Sequence, residues 1–412
     1  MTAIPKPNTI KALTLKSSTD DSFYSNEART FEEFSEILSR APQLAPHVRS
    51  LSLQFLPGHS SASEAAAALT AILAKLDSIN TLAIPMEAIG DESTWSSFSP
   101  GVQVALQTAL LRPALTTLRL SHLKFDSPTE FVSALTQASQ LRELCISEVI
   151  LKSADDDHTI LPSKRLSLHT LKIDCYMTTP QLLRLVARII DPSRLQHLLT
   201  FINPDLEAAA CELLASAVNV KYFHIRLEEY SDRAAEHLAI NLRPLRELRT
   251  LEITLDLHVA SFSGDPVWCA KQIIKSTGAD AARLDEGGDQ VVYGVAEDNG
   301  GEEEYKVKDK HELGSGDKRN SVVTNIIFNV DLNDLDQGGH RLTNRTMDHL
   351  ADMLDDMTGV ALNTVTFRIA CEREPWVWDI VNKNLRQCFN LLERDPNRPL
   401  RIEKVGVVSQ FL

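Results

Sequence analysis

The sequence predicts an irregular, right-handed α/β solenoid, in which parallel strands form one inner sheet and helices cover the outer side. Three observations lead to this prediction. A six-residue phrase, Leu-x-x-Leu-x-Leu, returns along the chain in degenerate form, and the segments between its copies carry helix-start signals. In addition, 43% of the 412 residues are hydrophobic, which is enough material for a continuous core. A recurring phrase of this kind is the sequence signature of a repeat array.

The clearest copies of the phrase begin at Leu115, Leu141, Leu168 and Leu248, and its fourth position recurs every 25 to 28 residues between Leu118 and Leu251. This spacing is typical of leucine-rich repeats and predicts roughly eleven or twelve units. Because a strand alternates sides, we expect the fourth and sixth residues to point inward and the third, fifth and seventh outward. Weaker copies begin at Ile10, Val48, Ile79, Leu195, Val220, Val323, Leu362 and Ile402.

Between the strands, short polar signals predict where helices begin. Ser61 followed by Glu64 has the spacing of a capping box, and Ser127-Pro128-Thr129-Glu130 combines a cap, a first-turn proline and a reciprocal glutamate. Thr179-Pro180 and Asn203-Pro204 repeat the cap-and-proline pattern. Later helices are predicted around Met347 to Leu354 and from Val377 to Leu392, with Trp376 and Trp378 packing the second.

The turn after each strand departs from the usual repeat consensus. Three residues beyond the sixth position an asparagine is expected, because its side chain hydrogen-bonds the backbone of the turn. This chain has no such ladder, so we expect its turns to be stabilised in another way. Seven of these positions hold Leu56, Glu87, Leu123, Val149, Tyr176, Glu228 and Asp256.

The segment from 277 to 320 differs in composition from the rest of the chain. It holds half of the sixteen glycines and is rich in acidic residues, with Gly300-Gly301-Glu302-Glu303-Glu304 at its centre. Such a composition buries too little apolar surface to offset its ordering entropy, which predicts a mobile insertion. The predicted organisation is therefore repeats over 1–276, an acidic, glycine-rich insertion over 277–320, and further repeats with a cap over 321–412.

Composition also restricts the classes of partner and the location. A formal charge of −14 without any basic run argues against nucleic acid and against anionic membranes as partners. No apolar run is long enough to cross a bilayer, and the beginning lacks the pattern of a signal peptide. Six scattered cysteines without a CxxC pair fit reduced thiols, so the predicted location is cytoplasmic or nuclear.

Motifs of catalysis are missing from the sequence. It contains no phosphate-binding P-loop, no GxSxG elbow and no HExxH helix, and Gly314-Ser315-Gly316 lacks the flanking strand and helix that a phosphate loop needs. Asp155-Asp156-Asp157-His158 is better explained as a solvated charged loop than as a cation site. We therefore predict a protein that is not an enzyme and has no cofactor and no metal site.

The outward strand positions are the candidate binding residues. They should form a lattice with about 4.8 Å between neighbouring strands, and Tyr and Arg are enriched among interface hot spots. The alternative is that Glu143, Asp174 and Glu252 simply pair with these cations on an ordinary polar sheet surface. The candidates for contact with a protein partner are Arg119, Lys172, Tyr222, His224, Arg226 and Arg368.

The first fifty residues resemble the start of the repeat region in fungal F-box proteins. The resemblance lies in Phe31-Glu32-Glu33-Phe34, Ile37-Leu38 and the run from Pro42 to Leu51, which includes Leu44-Ala45-Pro46 and Val48-Arg49. It implies a solenoid similar to the ribonuclease-inhibitor class and the receptor half of such a protein. Because Thr9 to Leu13 already reads as a repeat strand, we expect the F-box itself to be lacking.

The predicted function is therefore non-catalytic protein recognition, with a partner on the inner, concave sheet face. The resemblance further implies a substrate-receptor-like role, with ubiquitin-ligase components as partners through another subunit. Three alternatives stay open. One is a GTPase-activating-type regulator, since Ran GTPase-activating proteins resemble this chain in length and repeat class. The others are an orphan structural repeat protein and an enzyme that uses Cys371 or His349.

Overall fold

One open sheet of thirteen strands runs through the part of the chain that the computed structural model describes. Every pairing in it is parallel, and twelve strands follow chain order, with a two-residue strand added outside the first. The architecture is consistent with an α/β solenoid. Apart from a few single residues, the described residues are 12–16, 29–55, 63–85, 94–152, 165–174, 179–227, 240–255, 323–331, 363–370 and 400–405.

The strands and helices alternate along the first half of the chain. The strands of the large sheet are β1 Ala12–Lys16, β2 Arg29–Thr30, β3 Ser50–Gln54, β4 Thr81–Pro85, β5 Thr117–Ser121, β7 Glu143–Ser147, β9 Thr170–Ile173, β10 His197–Ile202, β11 Tyr222–Leu227, β12 Thr250–Leu255, β13 Asn325–Asp331, β14 Thr364–Ala370 and β15 Leu400–Val405. A separate two-stranded sheet consists of β6 Lys124–Phe125 and β8 Ile150–Leu151. The helices are α1 Phe31–Arg40, α2 Ser63–Lys75, α3 Pro100–Leu110, α4 Pro128–Thr136, α5 Pro180–Ile189 and α6 Glu207–Ser216.

The strand register confirms that the fourth positions of the phrase align. Leu118 pairs with Leu144 and Leu144 with Leu171, and the same row continues across the sheet to Leu251 and beyond. The last copy was placed wrongly by the sequence. Ile402 pairs with Phe367 and so occupies a sixth position, whereas a phrase beginning there would make it the first. Only the strand register reveals the phase, because Leu400 and Ile402 are both apolar.

A backbone contact recurs where one strand succeeds the next. The carbonyl oxygen of the residue two before each fourth position accepts N–H groups from two consecutive residues of the following unit. At Arg142, for example, the donors are His169 at 2.8 Å and Thr170 at 2.9 Å. The carbonyls that do this belong to Arg49, Asn80, Thr116, Arg142, His169, Gln196, Lys221, Arg249 and Thr324. We call the row of these residues the leading edge of the sheet.

One face of the sheet packs against the helices. Inward strand residues such as Leu118 and Leu144 belong to the same hydrophobic core as Leu106 of α3, Leu135 of α4 and Leu182 of α5. In β3, β4 and β7, buried residues alternate with half-buried ones, as expected for a strand with one face in a core. The opposite face, made by the third, fifth and seventh phrase positions, is called the open face below.

Most predicted helix starts are present. Ser127 and Thr179 accept hydrogen bonds from the backbone N–H groups three residues on, with proline in the first turn. Glu130 accepts from the N–H of Asp126 at 2.8 Å, one residue before the expected cap. Asn203 is a correction. It caps a turn by accepting from Leu206 at 3.0 Å, and α6 begins only at Glu207.

Aromatic rings line the chain beyond the first strands, where the asparagine ladder is missing. Phe55 contacts Phe31 at 5.6 Å and Phe98 at 4.7 Å between ring centroids. Trp95 continues the row from Phe98 to Phe125, which lies 5.1 Å from Phe131. All these rings are buried. Edge-to-face and offset ring packing therefore stabilises this part of the fold.

The strands on either side of the acidic segment are direct neighbours. β12 and β13 pair in register from Thr250↔Asn325 to Leu255↔Val330, so chain on both sides of residues 277–320 contributes to one sheet. The predicted mobile insertion lies outside the described residues, as do Ser61, Asp155 to His158, the helices predicted after Met347 and Val377, Cys371 and His349. No helix within the described ranges is both long enough and apolar enough to span a membrane.

Candidate functional site

All six candidate residues lie on the open face. Arg119 and Lys172 occupy fifth positions on β5 and β9, and Cys145 of β7 lies between them in register. Tyr222, His224 and Arg226 follow one another along the open side of β11, and Arg368 lies on β14. The structure then divides them, because the open face has an accessible part and a buried part.

Arg119 lies in the accessible half, which we define as the open face of β3 to β9. Its side chain is exposed, and it forms no hydrogen bond or ion pair with any residue in the described ranges. Its register neighbour on β4 is Ala83, and Thr117 and Ser121 flank it on its own strand. Since these side chains are short, nothing in the described part of the face shields the guanidinium from solvent.

Lys172, two strands from Arg119, is engaged with a neighbour. Its Nζ lies 3.4 Å from Oε1 of Glu143, and both side chains are about one-third exposed. The Sγ of Cys145 donates to the same carboxylate oxygen at 3.5 Å. Burial, with the adjacent Glu143 charge, raises the pKa of the Cys145 thiol to about 11. A thiol of this kind is protonated at neutral pH and is a poor nucleophile.

The edge of the accessible half contains two residues with unusual backbone conformation. His122 and Glu148 directly follow β5 and β7 and have φ values of 53° and 51°. Their side chains pair with each other, with 2.5 Å between Nδ1 and Oε2. Non-glycine residues adopt this left-handed region at a cost of about 1 to 2 kcal/mol. The side-chain pair ties the ends of adjacent strands together at this strained point.

From β10 to β14 most fifth and seventh positions of the open face are buried, and we call this region the closed half. Its fifth and seventh positions include side chains with almost no solvent exposure, although they lie opposite the helices. Leu199 and Phe201 are apolar members on β10. The buried polar members are His224, Glu252, Thr254, Asn329 and Thr366.

Glu252 is the centre of a hydrogen-bond network in the closed half. Its carboxylate accepts from the Tyr222 hydroxyl, from Nδ2 of Asn329 at 2.5 Å and from Nη1 of Arg368 at 3.4 Å. The Glu252 side chain is 2% exposed. Burial and the adjacent Glu252 carboxylate raise the pKa of Tyr222 far above its ordinary value. The phenol is therefore a stable hydrogen-bond donor.

His224 extends this network along β11 and β12. Its Nε2 lies 2.7 Å from Oγ1 of Thr254, and Thr254 also accepts from Nδ2 of Asn329 at 3.2 Å. Burial lowers the pKa of His224, with Arg226, Arg368 and Lys172 acting in the same direction against Glu252. The imidazole is therefore neutral near pH 7. Oδ1 of Asn329 is buried and has no hydrogen-bond partner among the described residues.

Arg226 and Arg368 lie at seventh positions of the closed half, and each is close to a carboxylate. Nη1 of Arg226 is 3.8 Å from Asp174, and Arg368 lies 3.4 Å from Glu252 and 3.6 Å from Glu403. Burial raises the pKa of Asp174, although Arg226 opposes the shift. The alternative considered for the sequence, in which open-face cations pair with acidic neighbours, thus describes Lys172, Arg226 and Arg368. It does not describe Arg119.

A second group of basic residues, which directly precede the strands, was not among the predicted candidates. The second position of the phrase, just before each strand, carries Arg49, Arg142, His169, Lys221 and Arg249. These residues belong to the leading edge, and the three arginines and the lysine are exposed. The signal was present in the phrase, since its second position is repeatedly basic in an acidic chain. Across the described residues, no group of three or more His, Cys, Asp and Glu side chains could hold a metal ion.

Similarity to known proteins is slight. No protein-family model and no curated protein matches the sequence. A solved structure, the crystal structure of the Rad7 and Elc1 complex in yeast, is similar over 98% of this chain and 82% of that chain. Its sequence identity is 11% and its TM-score is 0.37. A likeness at this level carries no argument about function, which must come from the residues of this chain.

Proposed function

We propose that this protein is a non-catalytic recognition module, built as an irregular leucine-rich-repeat solenoid, that binds a protein partner on the accessible half of its open face. The observation that carries the proposal is Arg119. It is an exposed guanidinium among short side chains, with no ion-pair partner in the described ranges, on a sheet face opposite the helices. Arginine is enriched among interface hot spots because its planar group forms several directed hydrogen bonds.

The partner surface in this proposal covers β3 to β9 rather than the whole sheet. Ser52, Ala83, Ser121 and Ser147 lie on neighbouring strands and are half-buried, so a partner can approach the backbone closely between them. Lys172, already bound to Glu143, offers a cation whose pairing can be shared with a partner carboxylate. The closed half supports this surface from one side through its buried network.

The state of the reactive side chains supports a binding role over catalysis. A nucleophile needs a depressed pKa or an adjacent base, but the pKa of the Cys145 thiol and that of the Tyr222 phenol are both raised. His224 is buried, and its Nε2 is already engaged with Thr254. Cys145, Tyr222 and His224 are therefore suited to structural hydrogen bonding rather than to attack on a substrate.

The finer part of the proposal is a substrate-receptor-like role in a ubiquitin ligase, located in the cytoplasm or nucleus. Its support is the resemblance of residues 31–51 to the repeat region of fungal F-box proteins. In this arrangement the accessible half holds the substrate, and another subunit provides the connection to the ligase.

Affinity purification from the native host with matched variants tests the proposal. The tagged full-length chain, its Arg119→Glu variant and an Arg40→Glu control are compared by quantitative mass spectrometry. Arg40 is also exposed, lies on α1 and contacts only Glu36 in the described structure. The proposal predicts a stoichiometric partner that Arg119→Glu loses and Arg40→Glu retains.

Recovery of the same proteins with all three chains would contradict the use of this face, as would the absence of any stoichiometric partner. The ligase role has a separate readout in the same experiment. It predicts that the Skp adaptor and a cullin are recovered with the wild-type chain, and their absence would remove that part while leaving the recognition module intact.

A further inference from the structure

The leading edge carries a row of exposed cations from β7 to β12. The carbonyl of Arg142 accepts from His169, that of His169 from Gln196, that of Gln196 from Lys221 and that of Lys221 from Arg249, so these residues lie one strand apart in this order. With about 4.8 Å between strands, Arg142 and Arg249 are roughly 19 Å apart along the edge. Backbone hydrogen bonds join the residues of the edge, and the long side chains of Arg142, Lys221 and Arg249 are exposed to solvent.

Unlike Lys172, Arg226 and Arg368 of the open face, the exposed cations of the edge have no carboxylate partner in the described ranges. Within the described ranges, the Arg142 side chain contacts the ring of His169, with 3.4 Å between Nη1 and Nε2, and forms no ion pair. Lys221 and Arg249 form no ion pair with any residue in the described ranges. By contrast, Lys172, Arg226 and Arg368 are all paired with acidic side chains. The row itself contains no acidic residue, although the whole chain has a net charge of −14.

We propose that the leading edge from Arg142 to Arg249 binds an acidic, extended segment of a protein partner. This deepens the proposed function and rests on it, because it gives the chemistry of part of the same partner. An edge of about 19 Å matches roughly six residues of extended chain at about 3.3 Å each. His169 and Gln196, between the cations, can donate hydrogen bonds to carboxylates or to the backbone of the segment.

A protein segment fits this edge better than nucleic acid or an anionic membrane does. Those polyanions reward broad clusters of Lys and Arg. The cations here form a single row one residue wide, flanked on the open face by Glu143. A narrow row suits a single extended peptide chain in which acidic residues alternate with other residues.

The test measures fluorescence anisotropy of a labelled twelve-residue peptide of alternating Glu and Ser with the full-length chain. A peptide of alternating Gln and Ser is the neutral control. The edge variant carries Arg142→Gln, Lys221→Gln and Arg249→Gln. A control variant with the same charge change carries Arg40→Gln, Lys75→Gln and Arg188→Gln, which replaces exposed cations on the helices α1, α2 and α5.

The proposal predicts that the acidic peptide binds the wild-type chain, that the edge variant binds it at least about tenfold more weakly, and that the control variant binds it nearly as well as wild type. The neutral peptide should not bind. Equal loss in both variants would overturn the proposal, because the effect would then be one of net charge. So would failure of the wild-type chain to bind, or tighter binding of single-stranded DNA or phosphatidylserine vesicles than of the peptide.

The outcome is independent of the test on the open face. Arg119→Glu should retain peptide binding, since Arg119 lies on a fifth position and not on the edge. Loss of the native partner with Arg119→Glu, together with no effect of the edge variant on peptide binding, would remove the acidic-segment proposal alone. Unchanged circular dichroism and melting temperature of each variant ensure that only folded proteins are compared.

Discussion

Replacing Glu252 by leucine is expected to loosen β11, β12 and β13 while the accessible half keeps its stability. The substitution removes the acceptor of the Tyr222 hydroxyl, of Nδ2 of Asn329 and of Nη1 of Arg368. Leucine fills most of the volume, so the main cost comes from the donors left without an acceptor rather than from a cavity.

The magnitude follows from which donors retain another partner. Arg368 keeps Glu403 at 3.6 Å and Asn329 keeps Thr254 at 3.2 Å, whereas no second acceptor for the Tyr222 hydroxyl is described. Removing one member of a buried pair costs about 3 to 5 kcal/mol, and an unsatisfied buried donor about 1 to 3 kcal/mol. Since two donors are partly compensated, we expect the lower end, about 3 kcal/mol.

Hydrogen exchange measured by mass spectrometry reports this loss locally. A loss of about 3 kcal/mol speeds exchange roughly 150-fold in amides that open with the network. We expect this in peptides that cover β11 to β13, and little change in those that cover β3 to β5. Glu143→Leu is the control, because its partly exposed pair with Lys172 contributes only about 0 to 1 kcal/mol.

Exchange in β11 to β13 that is accelerated less than about fivefold, which corresponds to less than about 1 kcal/mol, would contradict this prediction. The prediction would also be refuted if Glu143→Leu had as large an effect as Glu252→Leu. Either result would mean that the buried Glu252 network contributes no more to stability than an exposed ion pair does.

Three further predictions concern stability. Arg112→Met should lower the free energy of unfolding by about 2 to 3 kcal/mol in urea titration, because the half-buried guanidinium donates to the carbonyls of Leu73 and Leu76 at the end of α2; a change below about 0.5 kcal/mol would show that water replaces it. Phe98→Ala should cost about 3 to 5 kcal/mol by opening the aromatic row, while Val104→Ala on the exposed side of α3 should change stability by less than about 0.5 kcal/mol. Burial lowers the pKa of His224, so the unfolded state binds the proton more tightly, and stability should fall as pH drops below the ordinary histidine value of about 6.5. Burial raises the pKa of Asp174, so this residue makes stability rise as the pH falls, at lower pH. The measurement therefore compares the change of unfolding free energy with pH in wild type and in His224→Gln from pH 7.5 to 5.5. Equal slopes in the two proteins would contradict the prediction.

Much of the fold could be predicted because it depends on local chemistry. Alternation along a strand fixes which of Leu118, Arg119 and Leu120 face the core, and a serine or threonine before proline fixes a helix start at Ser127 and Thr179. The errors arose where local signals were ambiguous. Asn203 has the chemistry of a cap and caps a turn, and the apolar residues of β15 allow two phases that only pairing with β14 resolves.

The candidate site was predicted less completely, because burial and pairing depend on residues far apart in sequence. The alternation of β11 placed Tyr222 and His224 on the open face, but it could not show that Glu252 and Thr254 hold them in a buried network. Whether a cation has an ion-pair partner also depends on residues far away in the sequence. Arg119 and Arg226 both lie on the open side of their strands. The structure shows that Arg226 lies beside Asp174, whereas Arg119 has no ion-pair partner among the described residues.

Site-specific photo-crosslinking shows whether the accessible half contacts the partner. A benzoylphenylalanine residue is placed at Ser121, beside Arg119 on the open face, or at Thr108 on the exposed side of α3. With the partner recovered from the native host, the account predicts a crosslink from position 121 and none from position 108. A crosslink from position 108 alone would place the partner on the helices and contradict the account.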